Sequence, residues 1–219
     1  MKISEEKQTN VAIVVGKISK LPIITHQIEG ENFYDFEVEV ERLSKAKDII
    51  PVTISERSID VNDFKLGDRV KLVGQYRSHN KNIEEKNKLI LHFFAKEIEK
   101  TELQDKNDVR LTGFICKTPV FRTTPFNREI CDVLLAVNRP NNHRSDYIPC
   151  ILWGRNARFV SNLPIGSKIE VSGRIQSRQY TKKLENEEVE ERTAYEVSCN
   201  MVALMEKGKE VLNDEKEII

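Results

Sequence analysis

Short runs in which hydrophobic and polar residues alternate recur along the whole chain. In the second half they cover roughly 109–116, 130–139, 146–153, 168–181 and 192–202. A period of two is typical of β-strands with one buried face. Between the third and fourth runs, Ala157 and Val160 are three apart and Phe159 and Leu163 are four apart, as on a short helix. The pattern predicts five strands with a helix after the third.

The first half repeats this pattern at a spacing of 97 to 99 residues. NVAIVVGKI, which starts at Asn10, matches DVRLTGFIC, which starts at Asp108, and IIPVTIS matches YIPCILW. LGDRVKLVGQYRS likewise matches IGSKIEVSGRIQS. Five strands and one helix after the third are the layout of the OB-fold, a small, partly open barrel.

We therefore predict an all-β protein of two tandem five-stranded OB-fold barrels, each with a short helix after the third strand. A five-stranded sandwich is the alternative, which the helix position disfavours. The expected boundaries are a first barrel over 1–100, a polar linker over 101–107, a second barrel over 108–204 and a charged tail over 205–219. Gly113 and Gly173 fall where a strand must bend to close a barrel.

The fourth strand of the second unit carries Arg174, Arg178 and Tyr180 on one parity, whereas Ile169 and Val171 lie on the other. The apolar parity faces the barrel interior, so the arginines and the tyrosine face outward. An exposed base can stack on an aromatic ring, and a neighbouring guanidinium can neutralise its phosphate. The outer face therefore predicts a site for single-stranded nucleic acid. Its candidate residues are Arg110, Thr112, Lys117, Arg122, Arg139, Tyr147, Trp153, Arg155, Arg174, Gln176, Arg178, Tyr180 and Lys182.

Charge is distributed unevenly, although the chain has a formal net charge of zero. From Arg110 to Lys183 there are 13 Lys and Arg and 4 Asp and Glu, whereas residues 1–100 carry 17 of each. A basic region rich in arginine is typical of a polyanion binder. The alternatives are a solvated basic surface, and rings such as Tyr147 and Trp153 that pack under a loop or in a subunit interface.

The first unit lacks this combination of rings and cations. Outward positions of its second strand hold the carboxylates of Asp35, Glu37, Glu39 and Glu41, and Ile49 and Ser55 stand in place of Tyr147 and Trp153. A row of carboxylates repels phosphate. We expect a structural or pairing domain, or a weak binder that uses its loops. The loop candidates are Tyr76, Arg77, His79 and Lys81.

The second unit resembles the bacterial single-stranded DNA-binding protein family over residues 108 to about 200. The resemblance rests on VRLTGFICKTPVFRTTP, DVLLAVNR, DYIPCILWGRNARF, IGSKIEVSGRIQSRQYTK and TAYEVS. It implies an OB-fold, sequence-independent binding of single-stranded DNA in replication, recombination or repair, and a homodimer that places four barrels around the DNA. Tyr147, Trp153 and Tyr180 stand where that family has base-stacking rings, and basic positions of the family fall on Arg122, Arg174 and Arg178.

The chain departs from the family pattern in several places. Asp108 stands where the family begins its first strand with Asn, and Tyr180 stands where Trp is usual. The family's flexible linker and acidic tip have no close counterpart in the final residues LNDEKEII. Recruitment of replication or recombination proteins therefore does not follow from the tail.

Other functional classes have less support. The four histidines, at 26, 79, 92 and 143, are scattered, and the four cysteines form no Cys-x-x-Cys pair, so we expect neither catalysis nor a metal or cofactor. MKISEEKQTN has no apolar signal region, and the expected setting is the cytoplasm, at the nucleoid, without membrane contact. An RNA-binding OB-fold and a primosome-type protein-interaction module remain open.

Overall fold

The computed structural model describes residues 8–83, 86–140, 144–183 and 189–205. Strands of the first half are β1 (Asn10–Ile28), β2 (Glu31–Glu41), β3 (Lys47–Ser55), β4 (Arg69–Ile83) and β5 (Lys86–Lys100). Those of the second half are β6 (Lys106–Ile115), β7 (Val120–Thr123), β8 (Glu129–Asn138), β9 (Ser145–Trp153), β10 (Lys168–Lys183) and β11 (Val189–Leu204). A helix, α1 (Gly154–Ser161), follows β9.

Strand pairing closes each half into a five-stranded barrel. In the first, β1 pairs with β2 and β4, and the parallel pair β3–β5 completes the ring. In the second, β6 pairs with β8 and β10, and the parallel pair β9–β11 completes the ring. The short strand β7 is added to the outer edge of β8. The all-β OB-fold prediction is confirmed.

Two glycines in each barrel let strands cross closely. A Cβ atom at Gly113 would meet the carbonyl oxygen of Ala136, and one at Gly173 would meet that of Ser198. The strand register shifts between Ser172 and Gly173, so β10 bends there. Gly16 and Gly74 make the same close approaches in the first barrel.

The helix after the third strand differs between the barrels. In the second it is α1, whose Ala157 and Val160 are fully buried, as the period of three predicted. In the first, the same place holds two short 3-10 helices, Glu56–Ser58 and Val61–Asp63. The prediction of a comparable helix in both barrels was therefore only partly right. No helix in the described ranges is long and apolar enough to cross a membrane.

The two barrels are joined by antiparallel pairing of β1 with β6, from Asn10 opposite Leu111 to Val15 opposite Lys106. This pairing makes one continuous eleven-stranded sheet. Lys106 and Asn107 are part of β6, although they had been expected in the linker. Asp105, just before β6, is held by an ion pair with Arg69.

Two asparagines extend the β1–β4 and β6–β10 strand pairs in equivalent ways, one within each barrel. The Asn10 amide donates to the carbonyl of Tyr76 (2.6 Å) and accepts from its N–H (2.9 Å). Asn107 makes the same two bonds with Ile175, at 2.8 and 2.9 Å. The counterpart of Asn10 is therefore Asn107, and the expectation that Asp108 replaces it was wrong by one residue.

Candidate nucleic-acid interface

The rings that the sequence singled out lie on the outer surface of the second barrel. Tyr147 is 43% exposed and Tyr180 is 38% exposed, whereas Trp153 is half-buried. The indole Nε1 of Trp153 donates to the hydroxyl of Ser198 on β11, at 3.2 Å. This bond fixes the orientation of the indole and leaves part of its surface open.

A polar pocket of about 680 Å³ lies beside Trp153. Sequence reasoning missed much of its lining, because the residues come from separate parts of the second barrel, namely β6, the β7–β8 loop, α1 and β11, and from the first barrel. These missed residues are Arg42, Asn107, Asp108, Arg128, Asn156, Ser198 and Asn200. The pocket therefore combines an aromatic wall with amide and guanidinium donors, which can hydrogen-bond a base or a phosphate.

Arg174 has the most unusual environment in this pocket. Its Nη2 donates to Gln176 Oε1 at 3.0 Å, but its buried Nε has no hydrogen-bond partner in the part of the chain that the structure describes. Burial lowers the pKa of Arg174, and the nearby cation of Arg42 lowers it further. A bound anion would satisfy the free N–H group and offset the repulsion between the two arginines.

Other candidates extend this surface along β10. The Arg178 guanidinium lies 5.8 Å from the centre of the Tyr180 ring, within the range of a cation–π contact. Gln176 donates to Glu196 Oε1 at 3.1 Å. Burial raises the pKa of Glu196, whereas the nearby cation of Arg178 lowers it.

The remaining candidates differ in their solvent exposure and in whether their side chains are already bound to a carboxylate. Arg110, Lys117 and Arg155 are exposed, and among the described residues none of them forms an ion pair. Arg122 is exposed but is held by Asp132, with Nε–Oδ2 at 2.6 Å. The hydroxyl of Thr112 donates to Glu170 at 3.2 Å. The side chain of Lys182 lies outside the described residues.

Arg139, which the sequence predicted as a phosphate contact, is tied up within the protein. It is half-buried and donates to both oxygens of Asp146, which is itself only 1% exposed. Its Nη2 also donates to the carbonyl of Ser78 in the first barrel, at 3.2 Å. Arg139 therefore joins the barrels, a role that depends on a contact 61 residues away in sequence.

Tyr180 lies in a different place from Trp153. It lines a second cavity of about 810 Å³, together with Pro149 and Tyr195 of the second barrel. Most of the lining comes from the first barrel, including Pro51 and Thr53. The β10–β11 hairpin therefore extends over the first barrel, so the three predicted rings do not form a single cluster around Trp153.

Two expectations about the first barrel also change. Tyr76 is fully buried, so it is not available as a loop contact. The predicted row of carboxylates is present, but Glu39 pairs with Lys47 at 2.8 Å and Glu37 with Lys20 at 3.8 Å. Lysines on neighbouring strands thus offset much of the negative charge that argued against a binding surface.

Comparison with known proteins bears on the same half of the chain. Single-stranded DNA-binding protein B of Bacillus subtilis is 37% identical over 106 residues, which is 46% of this chain and 90% of that protein. Residues 106–205 also match the profile of the single-strand binding protein family. The chain belongs to this family. The match supports the family resemblance read from the motifs and covers the second barrel.

Longer family members are matched only in part. Single-stranded DNA-binding protein 1 of Staphylococcus aureus is 38% identical over 106 residues, which is 46% of this chain and 61% of that protein. The chain thus spans about three-fifths of this relative. The crystal structure of the single-stranded DNA-binding protein from Thermus aquaticus superposes with a TM-score of 0.71 at 20% identity, over 91% of this chain and 94% of that chain. This similarity shows that the shared fold includes the first barrel.

Proposed function

We propose that the protein binds single-stranded DNA without sequence preference, through base stacking and phosphate contacts on the second barrel. The observation that carries this proposal is the pocket beside Trp153, where an aromatic wall meets the unpartnered Nε of Arg174. A base can stack on the Trp153 ring, and a phosphate can accept a hydrogen bond from the Nε of Arg174. Membership of the single-strand binding protein family supports the same function.

Binding would proceed along the outer face. A base stacks on Trp153, and the neighbouring phosphate accepts hydrogen bonds from Arg174 and Arg128 at the pocket. Further along, bases stack on Tyr147 and on Tyr180, beside which Arg178 lies. Each stacked base contributes about 1–3 kcal/mol and the contact tolerates any base. Duplex DNA hides its base faces, so this surface discriminates against it.

The wider biological role belongs to the same proposal. We assign the protein to DNA replication, recombination or repair in the cytoplasm, acting by binding and without catalysis. The tandem barrels supply two of the four OB-folds of the expected homodimer. The relatives' names describe single-stranded DNA binding, and the assignment of this role to the present chain rests on the family and on the pocket.

The test is a titration of the full chain with oligo(dT), oligo(U) and a duplex of equal length. Trp153 is the chain's only tryptophan, so its fluorescence reports directly on the pocket. Quenching by oligo(dT) at concentrations that leave the duplex unbound is the expected result. Tighter binding of oligo(U) would favour an RNA-binding protein, and no change in fluorescence with any ligand would contradict the proposed site.

A further inference from the structure

The first barrel contacts the backbone of the second barrel at Tyr147, one of the proposed stacking rings. The N–H of Tyr147 on β9 donates to the hydroxyl oxygen of Ser78 on β4, at 2.7 Å. Ser78 is only 5% exposed, so water does not compete freely for this bond. A buried side chain of one barrel thus holds the strand that carries a ring of the other.

Among the described residues, this part of β9 has no neighbouring strand on the edge that meets Ser78. On one side β8 pairs with β9 along its whole length, whereas on the other β11 pairs with it only from Cys150 to Leu152. Pro149, two residues after Tyr147, points to the same edge and has no N–H group. Ser78 therefore supplies the hydrogen-bond acceptor that the sheet does not provide for Tyr147.

Ser78 is itself fixed by the second barrel at all three of its polar groups. Its N–H donates to Asp146 Oδ1 at 2.7 Å, and its carbonyl oxygen accepts from Arg139 Nη2 at 3.2 Å. Its hydroxyl oxygen makes the third contact, with Tyr147. Since Arg139 and Asp146 also form an ion pair with each other, the position of the serine is well defined.

Ser177 on β10 makes the same three kinds of contact with the first barrel. Its N–H donates to Asp48 Oδ1 at 2.9 Å, and its carbonyl oxygen accepts from Arg42 Nη2 at 3.4 Å. Its hydroxyl oxygen accepts the N–H of Ile49 at 3.0 Å. The two serines differ in the residue whose backbone they hold, because Ile49 has an aliphatic side chain in the place of the Tyr147 ring.

The placement of the Tyr147 ring depends on its backbone. The residue is 43% exposed, and among the described residues its side chain makes no hydrogen bond or ring contact. A binding residue that is already in place loses less conformational freedom when a ligand binds, so the affinity is higher. Fixing the Tyr147 backbone should thus raise the affinity for a base that stacks on the ring, beyond any effect on the fold.

We propose that Ser78 is a positioning residue for base stacking on Tyr147. Through its hydroxyl oxygen the first barrel holds β9, so that the Tyr147 ring is in place before DNA arrives. This inference rests on the proposed function of the second barrel. It gives the first barrel, for which the sequence predicts a structural or pairing role, a direct part in binding by its neighbour.

The test compares four variants of the full chain with the parent: Ser78→Ala, Ser177→Ala, Tyr147→Leu and the double variant Ser78→Ala, Tyr147→Leu. Ser177→Ala is the matched control, because it removes the equivalent hydroxyl from its contact with Ile49. Trp153 quenching gives the affinity for oligo(dT), and urea unfolding gives the stability. Amide hydrogen exchange, followed by NMR, reports on the protection of the Tyr147 N–H.

Ser78→Ala should lower the affinity for oligo(dT) about fivefold, the equivalent of about 1 kcal/mol and the low end of one base stack. The Tyr147 amide should exchange faster in this variant. Ser177→Ala should bind like the parent, although both serine variants leave a backbone N–H without its acceptor and lose stability. In the Tyr147→Leu background, Ser78→Ala should cause no further loss of affinity, because the ring through which it acts is absent.

Three results would overturn the proposal: parental affinity in Ser78→Ala, equal losses of affinity in Ser78→Ala and Ser177→Ala, or a Ser78→Ala loss that persists in full beside Tyr147→Leu. Failure of the proposed function looks different, because Trp153 would then respond to no oligonucleotide in the parent. Circular dichroism checks folding. If Ser78→Ala does not fold, Ser78→Cys, whose thiol is a weaker acceptor, takes its place in the same comparisons.

Discussion

The side chains of Arg139 and Asp146 form a two-point ion pair, with Nε–Oδ2 at 2.9 Å and Nη2–Oδ1 at 2.6 Å. Asp146 also accepts the N–H of Ser78 in the first barrel at 2.7 Å. Arg42 and Asp48 form the same kind of pair in the first barrel. Asp48 in turn accepts the N–H of Ser177 in the second barrel, at 2.9 Å. Two matched buried carboxylates thus hold the barrels together.

Arg139→Gln should reduce stability and leave the salt dependence of DNA binding unchanged. The substitution leaves the Asp146 carboxylate buried without its cation, which costs about 3 kcal/mol. Urea unfolding measures the change. Arg42→Gln should lose stability to a similar extent, because it leaves the buried Asp48 carboxylate without its cation. A folded variant with parental stability but a shallower salt slope would instead place Arg139 on the DNA.

Trp153→Ala should weaken oligo(dT) binding by about 1–3 kcal/mol without unfolding the chain. The indole is half-buried and, among the described residues, its side chain makes one hydrogen bond, to Ser198. Its removal should therefore take away a surface for base stacking and disturb the core packing little. Fluorescence anisotropy of a labelled oligonucleotide measures the loss. Trp153→Phe keeps a ring and should retain most of the affinity. If Trp153→Ala unfolds the protein, the indole is chiefly a packing residue.

Arg178→Gln should make binding less sensitive to salt. The logarithm of the binding constant for a single strand falls with the logarithm of salt concentration, with a slope of about −0.7 per neutralised phosphate. Removing one phosphate contact should reduce the slope by about that amount. Arg57→Gln is the control, because this exposed arginine of the first barrel pairs with Glu31, away from the proposed site. Identical slopes for the parent and both variants would remove Arg178 from the interface.

Stability should fall as the pH drops from about 6.5 towards 4. Burial and the adjacent His79 together lower the pKa of His92 to about 4. The unfolded chain, whose histidines have a pKa near 6.5, binds more protons in this window, so acid favours unfolding. The contribution of His92 is about 2 kcal/mol between pH 7.5 and about pH 5.

Urea unfolding at several pH values checks this dependence. His92→Gln should have a flatter profile over the same window, whatever its absolute stability. Above about pH 7 both histidines are neutral, so the parent profile should be flat with respect to them. An equal acid-induced loss in parent and variant would assign the effect to other groups.

Gly173→Ala should destabilise the second barrel by about 1–3 kcal/mol, because the added Cβ would collide with the carbonyl of Ser198. Thermal unfolding measures the effect. Ser172→Ala, one residue earlier on the outer face of β10, is the control and should be near neutral. Equal melting temperatures would show that the strand crossing can relax.

Local patterns predicted the fold well. Alternation along β10 correctly separated buried Ile169 and Val171 from Arg174, Arg178 and Tyr180, because strand parity is a property of neighbouring residues. The change of period near Ala157 likewise identified α1. The repeat itself implied a second barrel of similar topology.

Contacts between the barrels could not be predicted in the same way. Arg139 looked like a free cation because its partners, Asp146 and Ser78, are defined by the fold. The hydrogen bond between Tyr147 and Ser78 was overlooked for the same reason, since 69 residues separate them in sequence. A side chain that reaches the open edge of a strand becomes visible only when the strand pairing is known.

Continuous backbone between β5 and β6 makes the meeting of the two barrels a unimolecular event. Dilution therefore cannot separate them, in contrast to a pair of independent subunits, whose association depends on concentration. The two subunits of a symmetric homodimer must have the same sequence, whereas two barrels in one chain can differ in sequence. One half can keep Tyr147 while the other has Ile49 at the matched position, so a single gene can encode two unlike faces.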